Sequence, residues 1–254
     1  MSPTKVYLIT GANRGIGLGL VNELLKRHKD VFVYAGVRDP SKATALQELS
    51  TKFPGKIEIV KLISADEQTH KDLAKVITDK HGYVDVVIAN AGVNDYYGAV
   101  GVTPIDVFRN HLEVNATGVV VLFQAVLPLL KASKSSPKFI PITSGGGSLT
   151  AYISAPFEIT AYGASKATLN YITRRIHFEN EWLVAFPLAP GIVKTDMAYQ
   201  ARELDTSGQL GVLQDQLFVS VEDASVMLIN IVDNATREKE GGEFVNVDGS
   251  RIPW

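Results

Sequence analysis

Short apolar runs alternate with longer amphipathic stretches along almost the whole 254-residue chain. Lys5–Thr10 (KVYLIT) is a β-branched run that stops at a glycine, which predicts a buried strand. The amphipathic stretch that follows, to about Arg27, predicts a helix. Val31–Val37 then reads as a second strand, residues 41–53 as a helix, 56–62 as a strand, 66–80 as a polar amphipathic helix, and 84–89 as a fourth strand. Thr103-Pro104-Ile105-Asp106 resembles a helix start, with a hydroxyl cap, proline at the first position and an acid in the first turn. A long helix or helix pair follows it. Residues 138–142 form a fifth predicted strand, a helix runs through Tyr162 to about Asn180, and 183–188 is a sixth. Ser220-Val221-Glu222-Asp223 looks like a capping box opening the last helix, and 244–247 is a final strand. Such alternation predicts a parallel sheet covered by helices on both faces. No repeat, low-complexity run or linker interrupts it, so one domain spanning 1–254 is expected.

Composition narrows the class. The chain is 46% hydrophobic and 20% charged, ample for a buried core. A net charge of −2 provides no electrostatic footprint for nucleic acid or an acidic membrane. With no cysteine there is no disulfide, thiol nucleophile or thiolate-bound metal. Residues 1–5 run almost directly into a strand, which argues against a signal peptide. The longest apolar stretch, residues 119–130, contains Gln124 and Pro128 and reads as too short to span a bilayer. The expectation is a cytoplasmic protein without nucleic-acid or membrane partners.

The first strand ends in Gly11-Ala12-Asn13-Arg14-Gly15-Ile16-Gly17, and a helix follows. That geometry aims backbone N–H groups and a helix N-terminus at a pyrophosphate. The spacing is Gly-x-x-x-Gly-x-Gly, not the Gly-x-Gly-x-x-Gly of the general fingerprint. Gly19 continues the run and does not belong to the motif. At the end of the second strand stand Val37 and Arg38, where an acid would hold a ribose 2′-hydroxyl and an arginine accommodates a 2′-phosphate. Arg14 adds a cation within the glycine turn, and Asp39, before Pro40, shapes the following turn. These features favour NADP(H). The fourth strand runs into Asn90-Ala91-Gly92, and the fifth into Thr143-Ser144-Gly145-Gly146-Gly147-Ser148. Asn115, amid apolar residues, needs partners and is either a structural bond-maker or part of a site. Tyr162 and Lys166 are four positions apart on one helical face. A phenol with a pKa of about 10 is a weak acid at neutral pH, and a fixed ammonium nearby is expected to lower that value.

Together these segments resemble the short-chain dehydrogenase/reductase family over essentially the whole chain. The matching pieces, in order, are residues 10–17, Asn90-Ala91-Gly92, Asn115, Ser144, Tyr162 with Lys166, and Pro190-Gly191 with Thr195. The resemblance implies a doubly wound Rossmann-type α/β fold of about seven parallel strands and a nicotinamide cofactor. It makes Tyr162 the acid that protonates a carbonyl oxygen. Lys166 binds the nicotinamide ribose and holds down the Tyr162 pKa. Ser144 orients the carbonyl, and Asn115 holds a water that relays protons to Lys166. Asn90, with Ala91 and Gly92, braces the strands beside the cofactor, and Thr195 bonds the carboxamide, in a loop with Pro190, Gly191 and Val193. It also implies a homodimer or homotetramer assembled through the Asn115 and Tyr162 helices. The sequence departs from the family pattern in two places. The family's aspartate after the third strand is missing from Leu62-Ile63-Ser64-Ala65-Asp66, which leaves the adenine contact open. Ser144 is unusually far upstream of Tyr162, with Ser148 as a rival. Residues 179–188 and 248–254 further resemble the fungal branch that includes norsolorinic acid ketoreductase.

The expected activity is NADPH-dependent reduction of a bulky or aromatic ketone, possible classes including polyketide-type metabolites. Tyr96, Tyr97, Tyr152, Phe157 and Tyr199 lie in the segments 94–99, 149–157 and 196–217 that follow strand ends, where they either wall the substrate or pack loops. The polar segment 196–217 is a candidate lid. His28, His70, His81, His111 and His177 show no metal-ligand spacing, and Ser144 lies in no Gly-x-Ser-x-Gly elbow. The alternatives are an NAD-dependent alcohol dehydrogenase working oxidatively and a dinucleotide-binding regulator without turnover.

Overall fold

Strands buried on both faces need cover on both sides, and the folded chain supplies it. The computed structural model describes residues 4–254; the reading of residues 1–5 lies largely outside them. β1 (Lys5–Thr10), β2 (Val31–Val37), β3 (Ile57–Lys61), β4 (Val86–Ala89), β5 (Lys138–Pro141) and β6 (Val184–Ala185) form one parallel sheet. Its order is β3-β2-β1-β4-β5-β6, so the winding reverses between β1 and β4. Side chains alternate between the two faces. Tyr7, Ile9, Val33 and Ile88 pack on one core together with Leu20, Leu24 and Leu228. Those last three belong to α1 (Gly15–Arg27) and α9 (Val221–Asn234). Leu8, Tyr34 and Val87 pack on the other core with Leu73, Leu122, Val126 and Leu169. Those come from α3 (Glu67–Lys80), α5 (Gly118–Ala132) and α6 (Thr160–Glu179).

The strand expected over 183–188 is two pieces. β6 pairs with β5, whereas β7 (Leu188–Ala189) pairs with β8 (Val245–Asn246). Pro187 between them has no N–H to offer a ladder, and its carbonyl accepts from Val245 N at 3.1 Å. The helix expected over 41–53 is likewise a short 3₁₀ turn, Pro40–Lys42, followed by α2 (Thr44–Lys52). α4 (Ile105–Leu112) has Pro104 as its N-cap, so proline precedes the first helical position. Thr103 Oγ1, read as that cap, instead donates to the Ala99 carbonyl at 2.8 Å.

A π-helical stretch, Glu113–Thr117, joins α4 to α5. The resulting run, Ile105–Ala132, is 28 residues long and apolar enough to match a membrane span by composition. Its buried face, including Val119, Leu122 and Val126, belongs to this protein's own core. Segment 196–217 is no loop: α7 (Asp196–Leu204) and α8 (Gln209–Leu217) form a helical pair joined through Gly208 at φ +70°. Arg202 and Asp215 clamp the pair through two hydrogen bonds of 2.6 and 3.0 Å.

Candidate active site

The carboxyl ends of β1 and β4 open at the reversal of strand order, where doubly wound sheets place ligands. A cleft of about 570 Å³ lies there. Gly11, Asn13, Arg14, Gly15, Ile16, Arg38, Asn90, Ala91, Gly92, Pro190 and Thr195 line it, as do Tyr162 and Lys166. Four of its cations are Arg14, Arg38, Lys166 and Lys194, against a single carboxylate, Asp196. Asp39 is turned to its own turn: its Oδ1 accepts from Ser41 N and Ser41 Oγ at 3.1 and 2.6 Å.

The glycines of the turn serve internal packing as much as ligand approach. Gly11 holds φ +63°, and a methyl there would stand 2.9 Å from the Ala91 Cα. A methyl on Gly17 would collide with the Gly11 carbonyl, so Gly17 lets α1 start tight against the turn. Gly19, which does not line the cleft, meets Ser225 and Val221 of α9 in the same manner, a helix-packing contact. Gly15, at φ +52°, brings the turn against Thr195, whose methyl would lie 3.3 Å from an added Cβ. Thr195 also caps α7, accepting from Ala198 N at 3.3 Å.

Thr10, outside the predicted roles, ties the two strand ends together. Its Oγ1 accepts from both Asn90 N and Ala91 N, at 3.0 and 2.9 Å. Asn90 Nδ2 returns a bond to the Thr10 carbonyl at 2.9 Å. A hydroxyl at the last position of β1 was the available signal. Lys194, Val93 and Met197 line the cleft and were also missed; Lys194 stood in the flagged 190–195 loop. Leu62, Ile63 and Ser64 line it at the end of β3, while Asp66 caps α3 by accepting from Thr69 N at 2.8 Å. Asp66 is therefore a helix cap, and Ser64 holds the place beside the cleft.

Four other predicted residues lie outside that lining. Asn115 is fully buried in the π-helical stretch. Its Oδ1 accepts from Val93 N at 2.8 Å, and its Nδ2 donates to the Val93 carbonyl and to Ser165 Oγ, both at 2.9 Å. The π-bulge turns the amide toward Val93, a placement that helical periodicity alone does not reveal. Gly191 adopts φ +73°, and the Val193 side chain is buried. Ser144 ends in extended backbone, and its Oγ accepts from Gly146 N at 3.1 Å. Ser148 is occupied elsewhere: its Oγ donates to the Pro253 carbonyl at 2.6 Å and accepts from Ala151 N at 2.9 Å. The three glycines after Ser144 seat neighbours, Gly145 the Tyr152 ring, Gly146 the Ile159 side chain and Gly147 the Lys166 backbone.

Burial corrects the expected proton chemistry. The Tyr162 phenol is pushed up to about 12, chiefly by burial, with the Ser144 hydroxyl pulling the other way. Lys166 is pushed down to about 8 by burial. Its Nζ donates to the Ile142 carbonyl at 2.8 Å and lies 5.7 Å from the Tyr162 ring centre. Desolvation sets the direction for both groups, and the phenol sits above, not below, its ordinary value. At neutral pH Tyr162 carries its proton and Lys166 is mostly charged.

Of the aromatic residues, Tyr96 packs over Gly98, and the Tyr199 ring on α7 lies tilted at 60° to Phe218 with ring centres 5.5 Å apart. Among the described residues, no three His, Asp or Glu side chains converge as a metal site.

A parallel 3-2-1-4-5-6 sheet, a glycine turn at its switch point and a tyrosine–lysine pair across the cleft define a Rossmann-type oxidoreductase. The chain belongs to the short chain dehydrogenase family, whose pattern matches residues 5–205. It is 38% identical to norsolorinic acid ketoreductase of Aspergillus parasiticus, over 98% of this chain and 91% of that one. It is also 38% identical to the short chain dehydrogenase gsfK of Penicillium aethiopicum, over 97% and 98% of the two chains. In three dimensions it is similar to NADPH-bound carbonyl reductase from chicken fatty liver. That match has a TM-score of 0.86 at 30% identity and covers 99% of this chain and 95% of the other.

Proposed function

We propose that the protein is an NADPH-dependent ketoreductase that uses Tyr162 to protonate the oxygen of a bulky or aromatic ketone. One observation carries the reading: a single cleft has Arg14 and Arg38 among its walls together with the Tyr162–Lys166 pair. The pyrophosphate fits the turn before α1, whose first N–H groups have no helical partner. Arg38, with Asp39 tied to Ser41, suits a 2′-phosphate and offers no acid to a ribose hydroxyl. A nicotinamide bound there supplies the hydride.

The protein's own residues do the rest. Tyr162, protonated at neutral pH, donates its proton to the carbonyl oxygen as charge develops there. Ser144 steadies that oxygen and, after transfer, the phenolate. Lys166 brings its positive charge, with Ile142 holding its Nζ in place. Asn115 fixes Val93 at the cleft wall and organises the proton relay behind Lys166. The aromatic substrate class is supported by the ketoreductase relatives and by Tyr97 and Tyr152 near the Ser144–Tyr162 centre. A homodimer or homotetramer built through the Asn115 and Tyr162 helices is supported by exposed Tyr171 and Phe178 on α6. A cysteine-free chain suits the reducing cytoplasm.

The test is NADPH oxidation against aliphatic, aryl and polycyclic ketones, with NADH in parallel. Turnover with NADPH and a preference for bulky aryl ketones is the expected result. Tight NADPH binding without turnover of any ketone would replace this reading with a non-catalytic sensor. Faster oxidation of alcohols with NAD would replace it with an alcohol dehydrogenase.

A further inference from the structure

The loop that leaves Gly92 carries two polar side chains that do not complete each other. Asn94 is only 9% exposed. Its Nδ2 donates to Tyr97 Oη at 3.2 Å, while its Oδ1 has no hydrogen-bond partner among the described residues. Buried amide groups are rarely left so. Because the Tyr97 oxygen accepts from Asn94, its own proton is free to be donated elsewhere.

The loop is held at both ends beside the substrate side of the cleft. Upstream, Gly92 and Val93 line the cleft and Asn115 clamps Val93. Downstream, Gly98 N donates to the Glu158 carbonyl at 2.7 Å, and Ala99 N to Glu158 Oε2 at 3.1 Å. Tyr97 is therefore fixed between two anchors. Gly98 bridges Ile159, the residue before α6, so Tyr97 stands between the cleft-lining Val93 and the start of the helix that carries Tyr162. Its phenol is among the groups that push the Tyr162 pKa up.

We propose that Tyr97 is a specificity residue whose hydroxyl, set as a donor by Asn94, binds a second oxygen on the substrate close to the reacting carbonyl. The substrate class is thereby narrowed to ketones with a neighbouring hydroxyl, ether or carbonyl oxygen. Where that oxygen carries a proton, the unpartnered end of Asn94 accepts it. The inference rests on the ketoreductase reading above and deepens it.

The test compares two ketones of nearly equal shape, ortho-methoxyacetophenone and ortho-ethylacetophenone, with NADPH. In one an ether oxygen stands where the other has a methylene. The kcat/KM ratio is measured for the wild type, Tyr97→Phe and Asn94→Ala, with NADPH binding followed by fluorescence to verify folding. The wild type should favour the methoxy ketone by about ten-fold, the scale of one hydrogen bond. In Tyr97→Phe the ratio should fall toward one, and in Asn94→Ala it should fall part of the way. A purely structural role would depress both rates together and leave the ratio unmoved. Reduction of both ketones without preference, or a preference that survives in Tyr97→Phe, overturns the inference and leaves the reductase reading intact. If Tyr97→Phe does not fold, an undiminished ratio in Asn94→Ala overturns it. No NADPH consumption with any ketone overturns the reductase reading and this inference with it.

Discussion

Asn115→Ala separates the two roles that a buried asparagine can fill. The side chain is fully buried and makes three hydrogen bonds, two to the Val93 backbone and one to Ser165 Oγ. Truncation leaves the Val93 N–H and C=O without protein partners, while Ser165 keeps its 2.7 Å bond to the Tyr162 carbonyl. Two orphaned groups at about 1–3 kcal/mol each, partly relieved by a water entering the gap, cost about 2–5 kcal/mol. In a chain of this length each kcal/mol moves Tm by about 2–4 °C, so a fall of roughly 5–15 °C is expected. Scanning calorimetry measures it, and NADPH-dependent turnover on the best ketone is measured alongside. Gly92 and Val93 line the cleft, so kcat/KM should fall by about ten-fold or more as the loop loosens. A Tm within about 2 °C of wild type would refute the clamp. A large Tm loss with unchanged turnover would assign Asn115 to the fold alone.

Tyr162→Phe should lower kcat by about 10²–10⁴-fold while NADPH still binds, because only the proton donor is removed; substantial residual reduction would place the donor elsewhere. With Lys166 pushed down to about 8 and Tyr162 up to about 12, reduction should be flat near neutrality. It should fall with loss of one proton as pH rises through about 8, since Lys166 then becomes neutral while Tyr162 stays protonated. An unchanged rate to pH of about 10 would remove Lys166's charge from the mechanism. Arg38→Ala should weaken NADPH by about ten-fold or more and leave NADH affinity unaltered, the scale of a charge-assisted hydrogen bond; equal effects on the two would remove the 2′-phosphate from Arg38. Gly19→Val drives a side chain into Ser225 and Val221 and should cost about 1–3 kcal/mol by calorimetry, with no loss meaning that α1 and α9 separate freely.

Much of the fold was legible because each strand is a short apolar run with its own stop signal. β1 ends at Gly11, β2 at Arg38-Asp39-Pro40, and β4 at Asn90-Ala91-Gly92. Continuous burial along β2 leaves no alternative to a sheet covered on both faces. The break at Pro187 was written in the chain too, yet its effect depends on β8 arriving alongside, with Val245 pairing with Leu188 from 57 residues earlier, a contact set by folding. Ser144 stands directly at a strand end and Ser148 does not, which favours Ser144 from sequence; the folded C-terminal segment adds that the Pro253 carbonyl engages Ser148.

What the sequence determined by itself was the period of its apolar positions and the residue types at strand ends, because these act over a few neighbouring residues. From them came the α/β class, the nucleotide-type turn and the Tyr162–Lys166 spacing. The tertiary structure alone decided the proton affinities, since burial pushes Tyr162 up and Lys166 down against the expectation from their charges. It alone decided that Asn115 reaches Val93, through a π-bulge that offsets the helix. It also gathered Thr10, Asn90 and Ala91 into one clamp across 80 residues of chain. Desolvation and long-range hydrogen bonds depend on what surrounds a group in space, and a linear pattern carries no measure of that.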